Sequence, residues 1–402
     1  MPAEIPLPSR APKPWAAIAA VTALTLPLGS IYAFSVFLKP IEAALGIPRS
    51  ALSFVFGLAT VGFTAGMNLA PAMYQWASPA VLILGCAVVA ASGIALAAVA
   101  EGLPLLLLGY GVVFGVAGGA IYIILQQAVN LLVRTRAGLL NGYVIGLYPM
   151  GAMIAAPLFG WSNDTHGYRA TLLALAVALL LFGAVSTWLT GYAGSTLPTP
   201  ANAAADAHAE RHTALTLRLC AVFFLAAAAG LTVLSQAAGI IAAYGGEAAM
   251  ALWATTGITA AIAGARVSGG WLVDRFPVPF VAAAAHAVAL TGTVLLSLWP
   301  SAGVAAAALG LIGVGYGFVS GSTAGAIAVY WPRTLYGVIA GKIYVAWCVA
   351  AVTLPVLSGH LFDLTGGYAI TMLIAGGGNA LGCAIALGLP RRAMEEAKAA
   401  AR

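Results

Sequence analysis

Charged side chains are scarce in this chain. Asp, Glu, Lys and Arg make up 7% of the 402 residues, whereas 62% are hydrophobic and the mean hydropathy is +1.00. Soluble domains carry about 25% charged residues, so this composition cannot cover a water-exposed surface. Apolar runs of roughly twenty residues recur along the chain, each long enough to cross a ~30 Å hydrocarbon core as a helix. The predicted surroundings of the chain are therefore lipid.

Cysteine is also rare, and the four residues stand singly in apolar runs: Cys86, Cys220, Cys348 and Cys383. With no C-x-x-C pair and no His at metal-ligand spacing, neither a metal nor a cofactor is expected. The glycine-rich segments GVAGG and GYGFVSG lie inside apolar spans, which argues against a phosphate loop. Basic residues are dispersed through short loops, so nucleic-acid binding is not expected. An enzyme is the least expected class.

Breaks at Pro, Gly and charged residues predict an all-α membrane protein of twelve spans. The predicted spans are 15–38, 50–73, 79–100, 104–132, 138–160, 169–191, 214–243, 248–272, 279–299, 302–330, 335–361 and 369–389. The longest polar stretch, GYAGSTLPTPANAAADAHAERHTA, has the composition of an exposed linker. It gives an N-terminal six-helix half (1–191), a cytoplasmic linker (192–213) and a C-terminal six-helix half (214–402).

The distribution of Lys and Arg predicts the orientation. With both termini in the cytoplasm, twelve of the seventeen basic residues lie inside, while Lys39, Arg49 and Arg169 lie outside. This excess follows the positive-inside rule and predicts a multi-pass protein of the cell inner membrane. The two remaining basic residues, Arg266 and Lys342, fall within spans.

The two halves echo each other in sequence. APLFGWSNDTHGYRATLL at the end of the fifth span parallels LPVLSGHLFDLTGGYAITML at the end of the eleventh, and GYGVVFGVAGGAIYI in the fourth parallels GVGYGFVSGSTAGAIAVY in the tenth. A parallel repeat of six-helix halves is the arrangement expected of major facilitator transporters, whose substrate site lies near mid-membrane between the halves.

Arg266 and Lys342 both lie about 12–13 Å inside the cytoplasmic boundary, at 1.5 Å per residue. An intramembrane Arg costs at least ~2.5–3.5 kcal/mol and normally has a partner. All eleven carboxylates of the chain fall in tails, loops or span ends. A ligand carboxylate would supply the missing charge through two parallel hydrogen bonds. The alternative is an Arg satisfied by helix-end carbonyls that snorkels to the cytoplasmic interface.

Lys342 either joins Arg266 around a dianion or packs away from the substrate. Trp347 is five residues further on, about 140° around the helix, so both cannot point squarely into one cavity.

Helical phase groups further residues into a candidate substrate cavity. Tyr122 and Gln126 share one face of the fourth span, and Asn141 and Tyr148 are aligned on the fifth. Tyr32 lies near mid-depth in the first span. Together these residues predict a cavity lined by phenol hydroxyls.

Three segments resemble the oxalate:formate antiporter and monocarboxylate transporter branch of the major facilitator superfamily: LPLGSIYAFSVFLKPIEAALG, GARVSGGWLVDRF and YVAWCVAAVTLPVLSGHLFDLTGGY. The resemblance implies that Arg266 binds the substrate carboxylate and that tyrosines of spans one, four and five line the site. We also place Tyr344 and Trp347, from YVAWC, at the site.

The segment GGWLVDRF matches the G-x-x-x-D-R loop motif that major facilitator proteins place after spans two and eight. The matching residues are Gly270, Asp274 and Arg275. In the first half the corresponding loop, APAMYQWASP, has lost its charges.

Departures from the resemblance bear on the substrate. The second cation of the oxalate carrier falls on Trp347, and its tenth-span aromatics fall on Ala324 and Ala328, which implies a roomier site for a larger, singly charged acid. The Asp that many monocarboxylate carriers place one turn before the Arg is Ile262 here. Proton coupling would then use Lys342, the substrate itself or His286, which we interpret as structural.

The expected function is secondary active transport of small organic carboxylates, with a monocarboxylate preferred, by alternating access. Coupling would be proton symport or exchange with a counter-transported anion. The expected partners are the organic anion, protons or a second anion, and the lipid bilayer, and the expected state is a monomer. The alternatives are a multidrug or metabolite efflux carrier for neutral compounds, an oxalate-like dicarboxylate exchanger, and a membrane sensor that has kept the carrier fold.

Overall fold

The structure, a computed structural model, describes residues 12–198 and 213–391. Within these ranges it contains twelve helices of membrane-spanning length and hydropathy, which confirms the predicted number. They are α1 (Pro14–Ala33), α2 (Arg49–Met73), α3 (Pro79–Ala98), α4 (Leu103–Leu132), α5 (Ala137–His166), α6 (Tyr168–Ala193), α7 (Thr213–Ala243), α8 (Ala248–Val273), α9 (Val278–Leu298), α10 (Ala302–Tyr330), α11 (Arg333–Thr365) and α12 (Ala369–Leu387). A helix pairs its backbone N–H and C=O groups by hydrogen bonds within itself, which is necessary because lipid offers them no partners.

The predicted bounds differ from the observed ones where a helix leaves the apolar layer or breaks. The first span ends in a 3₁₀ turn, Gly29–Ala33, and a separate helix, Ser35–Leu45, follows it. Helix α5 continues through polar residues to His166 and ends at Gly167, whose φ of 82° is readily adopted by glycine. Helix α11 is interrupted at Thr353, next to a proline in the first turn of its second segment.

The same helix pairs pack in both halves. In the first half α2 packs on α4, and α6 packs on α1 and α3; in the second half α8 packs on α10, and α12 packs on α7 and α9. The fold is therefore two six-helix halves related by a parallel pseudo-repeat. Helix α6 ends at Ala193 and α7 begins at Thr213. Most of the proposed linker, 199–212, lies outside the described residues.

Helix α5 joins the halves by packing on α8 and α10. Glycines make its approach to α8 close. A Cβ at Gly142 would lie 2.5 Å from the carbonyl oxygen of Arg266, and one at Gly270 would lie 2.8 Å from the Cα of Gly142. These backbones are in direct contact, as small residues allow between membrane helices.

Two ionic side chains of the second half bind the ends of α4 and α5. The Asp274 carboxylate accepts hydrogen bonds from the backbone N–H groups of Gly138 and Leu139, both at 2.8 Å. The Arg333 guanidinium donates to the carbonyls of Asn130, Val133 and Arg134, at 3.1, 2.7 and 2.6 Å.

Each charge thus has the sign that complements the helix end it binds. We call these contacts the 4–5 latch, and the side of the bundle that carries them the basic side. Arg275 takes no part in these bonds and lies over the Trp271 ring, at 3.8 Å from its centroid.

Asp274→Asn tests the latch. The amide keeps the shape but removes the charge from two hydrogen bonds, so closure of the basic side should weaken by about 1.5–3 kcal/mol. A cysteine at Ser320, in a background without the four native cysteines, should then react faster with a membrane-impermeant maleimide added from the basic side. Asp363→Asn, an exposed residue outside the latch, is the matched control. Equal labelling in both variants would contradict the latch.

Candidate functional site

Arg266 lies at the centre of the bundle and is 2% exposed. Its Nη1 donates to the carbonyl oxygen of Ile145 on α5, and its Nη2 donates to the hydroxyl of Tyr316 on α10, both at 3.0 Å. Its Nε has no partner. The guanidinium therefore does not snorkel to an interface. It does bind a backbone carbonyl, but Ile145 lies within helix α5 and not at a helix end, which the alternative interpretation of the sequence required.

Small residues on the neighbouring helices fix this position. A Cβ at Gly321 of α10 would overlap the carbonyl oxygen of Arg266. A Cβ at Gly142 of α5, in the other half, would clash with the same oxygen. Helix α8 therefore packs closely against both α5 and α10 at the level of Arg266. The side chain must then extend into the space between the halves.

Aromatic side chains from both halves enclose that space. The lining residues are Tyr32, Phe63, Tyr122, Ile145, Tyr148, Phe223, Arg266, Tyr316, Ser320, Tyr344 and Trp347. The enclosed volume is about 20 Å³, room for about one water molecule. The site is closed in this structure, and a substrate requires the walls to part.

Two hydrogen bonds connect the aromatic walls. The hydroxyls of Tyr122 and Tyr344, from opposite halves, are 3.0 Å apart. Trp347 Nε1 donates to the Tyr316 hydroxyl at 3.0 Å. Tyr316 therefore accepts from both Trp347 and Arg266, and its own O–H remains available as a donor. The buried hydroxyls of Tyr148 and Ser320 have no hydrogen-bond partner, which leaves polar groups ready for a ligand.

The structure brings six of the predicted site residues together around the cavity: Arg266, Tyr32, Tyr122, Tyr148, Tyr344 and Trp347. Gln126 and Asn141 lie one layer nearer the basic side. Gln126 Nε2 donates to Tyr336 at 3.0 Å and to Asn141 at 3.3 Å, and Asn141 Nδ2 donates to Asn130 at 2.8 Å. This buried polar layer closes the floor of the cavity instead of lining it.

Lys342 does not reach the cavity. Its side chain is exposed, while Trp347 on the same helix is buried in the site. The two side chains point about 140° apart around the helix axis, as expected from the sequence, so only one of them can face the cavity. His286 is also remote, because its Nδ1 pairs with Asn379 of α12 at 2.9 Å. Neither residue contributes to the lining described above.

Sequence reasoning placed the wrong residues of α10 at the site. The side chains that face the cavity are Tyr316 and Ser320, whereas Ala324 is buried elsewhere and Ala328 is half-buried outside the lining. The second half is therefore not roomy, since Tyr316 fills it. The sequence signal for Tyr316 is a Tyr between two glycines within an apolar span, in GVGYGFV. No such signal exists for Phe63, Phe223 and Ile145. In a membrane helix apolar residues occupy both the lipid-facing and the buried faces, so the residue type does not show which face it lies on.

None of the described carboxylates lines the cavity. The ion pair found in the described ranges, Arg49 with Glu42 at 3.0 Å, is exposed and is not part of the lining. The same ranges contain no group of three His, Cys, Asp or Glu side chains suited to a metal. The cavity thus offers one positive charge, aromatic faces and hydroxyls.

Comparison with known proteins agrees with this architecture. The chain is 25% identical to monocarboxylate transporter 13 of Rattus norvegicus over 385 residues, which covers 91% of this chain and 86% of the relative. It is 28% identical over 160 residues to an uncharacterized MFS-type transporter, YhjX, of Escherichia coli K12, a match that spans 40% of that protein.

Solved structures share the fold. Helices superpose on the transporter FucP in its outward conformation with a TM-score of 0.71, at 15% identity, covering 93% of this chain and 98% of FucP. The human organic anion transporter MFSD10 gives 0.70 at 16% identity, covering 94% and 100%. The sequence model of the Major Facilitator Superfamily matches residues 20–355. The protein is a membrane transporter, not an enzyme, and it belongs to the major facilitator superfamily.

Proposed function

We propose that the protein is a secondary carrier of small organic carboxylates, with a singly charged acid as the preferred substrate, and that Arg266 binds the carboxylate. The observation that carries the proposal is a buried guanidinium whose cavity, among the described residues, is lined by no carboxylate. Arg266 uses two N–H donors on neutral groups, and its Nε–H is free. A carboxylate would supply both the acceptor and the charge.

The absence of a second cation from the lining favours a monocarboxylate over a dianion such as oxalate. Lys342, the candidate for a second cation, has an exposed side chain on another face of α11. The full-length similarity to a monocarboxylate transporter supports the same choice. Neutral compounds are a weaker fit, because they would leave the buried guanidinium without a counter-charge.

We infer that the basic side is cytoplasmic and that both termini lie there, in the inner membrane. The loops of that side carry Arg134, Arg136, Arg275 and Arg333, the excess that orients membrane proteins. The 4–5 latch closes this side. Transport would require the latch to open while the halves close on the other side, which is alternating access.

Arg266→Gln tests the proposed function. The neutral amide cannot compensate a buried carboxylate, so carboxylate uptake into proteoliposomes should fall by two orders of magnitude or more, since breaking a buried pair costs about 3–5 kcal/mol. Lys342→Met is the matched loss of a cation outside the cavity and should retain uptake. A shift in melting temperature with lactate, pyruvate, oxalate, succinate or citrate identifies the acid to use. Stabilisation by neutral compounds alone would favour the efflux alternative.

Tyr316→Phe tests the second contact of Arg266. The substitution removes the oxygen that accepts from both Arg266 and Trp347, and it leaves two buried donors unsatisfied. Affinity for the acid should weaken roughly 5- to 150-fold, as expected for about 1–3 kcal/mol. Quenching of tryptophan fluorescence in the purified protein measures it. The control is Tyr330→Phe, whose hydroxyl bonds Pro390 far from the cavity; a matching loss there would contradict the role of Tyr316.

Coupling can be tested by pH. The lining consists of Tyr, Phe, Trp, Ile, Ser and Arg side chains, and none of these types changes charge between pH 5.5 and 8 in its ordinary state. The affinity for an acid that stays ionised over this range should therefore be constant, and any transported proton would travel on the substrate. Isothermal titration at four pH values measures this. An affinity that changes tenfold would require a titrating group in the site.

A further inference from the structure

The partner of Arg266 in the first half is a backbone carbonyl whose regular helical donor is missing. In a regular α-helix the carbonyl of Ile145 accepts from the N–H of residue 149. Residue 149 is Pro149, inside helix α5, and proline has no N–H. The proline ring also displaces the carbonyl four residues earlier. The oxygen of Ile145 is thereby left for Arg266, which donates to it at 3.0 Å.

This carbonyl lies where no water would satisfy it. Ile145 is 4% exposed and Arg266 is 2% exposed. A buried carbonyl left without a donor costs about 1–3 kcal/mol, and a buried cation without an acceptor costs more. One hydrogen bond between the halves satisfies this carbonyl and one of the N–H donors of Arg266. The glycines of α5 keep α8 close enough, since a Cβ at Gly146 would lie 3.4 Å from the carbonyl of Ala263.

We propose that Pro149 is a positioning residue that gives Arg266 an internal partner when the carrier is empty. This proposal rests on the proposed function of Arg266 as the carboxylate-binding residue. The Ile145 carbonyl holds the place that a substrate oxygen takes in the loaded carrier. It ties the halves around the closed cavity and lets the empty carrier change orientation. A carboxylate displaces it, because a full negative charge binds the guanidinium more strongly than a carbonyl dipole does.

The proposal separates two modes of transport. In counterflow, with the acid on both sides, the carrier changes orientation loaded, and the carbonyl is not needed. In net flux, with the acid on one side, each cycle includes the return of the empty carrier. Loss of the internal partner should therefore slow net flux selectively. It should also tighten binding of the acid, since the acid no longer competes with the carbonyl.

Pro149→Ala and Pro149→Gly restore the N–H at position 149, so both should redirect the Ile145 carbonyl into the helix. The first also stiffens α5, whereas the second leaves it deformable. If both variants give the same result, the effect comes from the redirected hydrogen bond and not from a change in the bend of α5. Pro157→Ala is the matched control, because Pro157 lies in the same helix with an exposed side chain, outside the cavity.

The experiment measures both modes in proteoliposomes at clamped voltage, with the radiolabelled acid that stabilises the protein most among lactate, pyruvate, oxalate, succinate and citrate. For both Pro149 variants we expect counterflow within twofold of the wild type, net flux reduced five- to tenfold, and a two- to fivefold lower dissociation constant. The Pro157 variant should match the wild type in both modes. An unchanged ratio of net flux to counterflow in the Pro149 variants overturns the proposal.

A thermal double-mutant cycle provides a second readout that needs no substrate. Pro149→Ala should raise the melting temperature more in an Arg266→Leu background than in the wild type, because only the wild type loses the bond to Arg266. Additive shifts overturn the internal-partner bond. If Arg266→Gln transports carboxylates normally, the proposed function fails, whatever the Pro149 variants do. If Arg266 is required but the Pro149 variants leave the ratio of net flux to counterflow unchanged, only the present inference fails.

Discussion

A buried cation without an anion in its cavity constrains this structure more than any other feature. In the bilayer interior Arg266 needs acceptors, and it obtains them from the carbonyl of Ile145 and the hydroxyl of Tyr316, with the Tyr316 ring 5.3 Å from the guanidinium carbon. Ile145 belongs to one half and Tyr316 to the other. The close packing of α5, α8 and α10 keeps all three groups within reach. The central cavity is the space that this packing leaves.

The same solution recurs at four other charged side chains of the described chain. Asp274 binds backbone N–H groups, and Arg333, Arg169 and Arg218 bind backbone carbonyls. With 7% charged residues, the sequence has few opposite charges to offer, and helix ends and freed carbonyls take their place. Such partners carry only partial charge. A transporter that must open these contacts in each cycle then breaks bonds to dipoles rather than full ion pairs.

Composition, helical period and the distribution of basic residues were sufficient to predict the twelve spans, the repeat and the buried position of Arg266. They failed for residues whose place in the site depends on the rotation of a helix about its own axis. Lys342 shares the depth of Arg266 but takes another face of α11, and α10 turns Tyr316 inward rather than Ala324. One residue changes the facing by 100°, and no local pattern fixes the rotation of an apolar helix among apolar neighbours. The carbonyl of Ile145 could not be predicted, because it belongs to no side chain.

The lack of a carboxylate in the cavity has an electrical consequence. With a singly charged acid bound, the site is neutral, so reorientation of the loaded carrier moves little charge through the membrane. The empty site carries the full charge of Arg266, and its return moves that charge through part of the field. A potential of 100 mV acts on a whole elementary charge with about 2.3 kcal/mol. On the proposed carboxylate-bound cycle, membrane voltage would therefore act on the rate of the empty return, and through it on the rate of net transport.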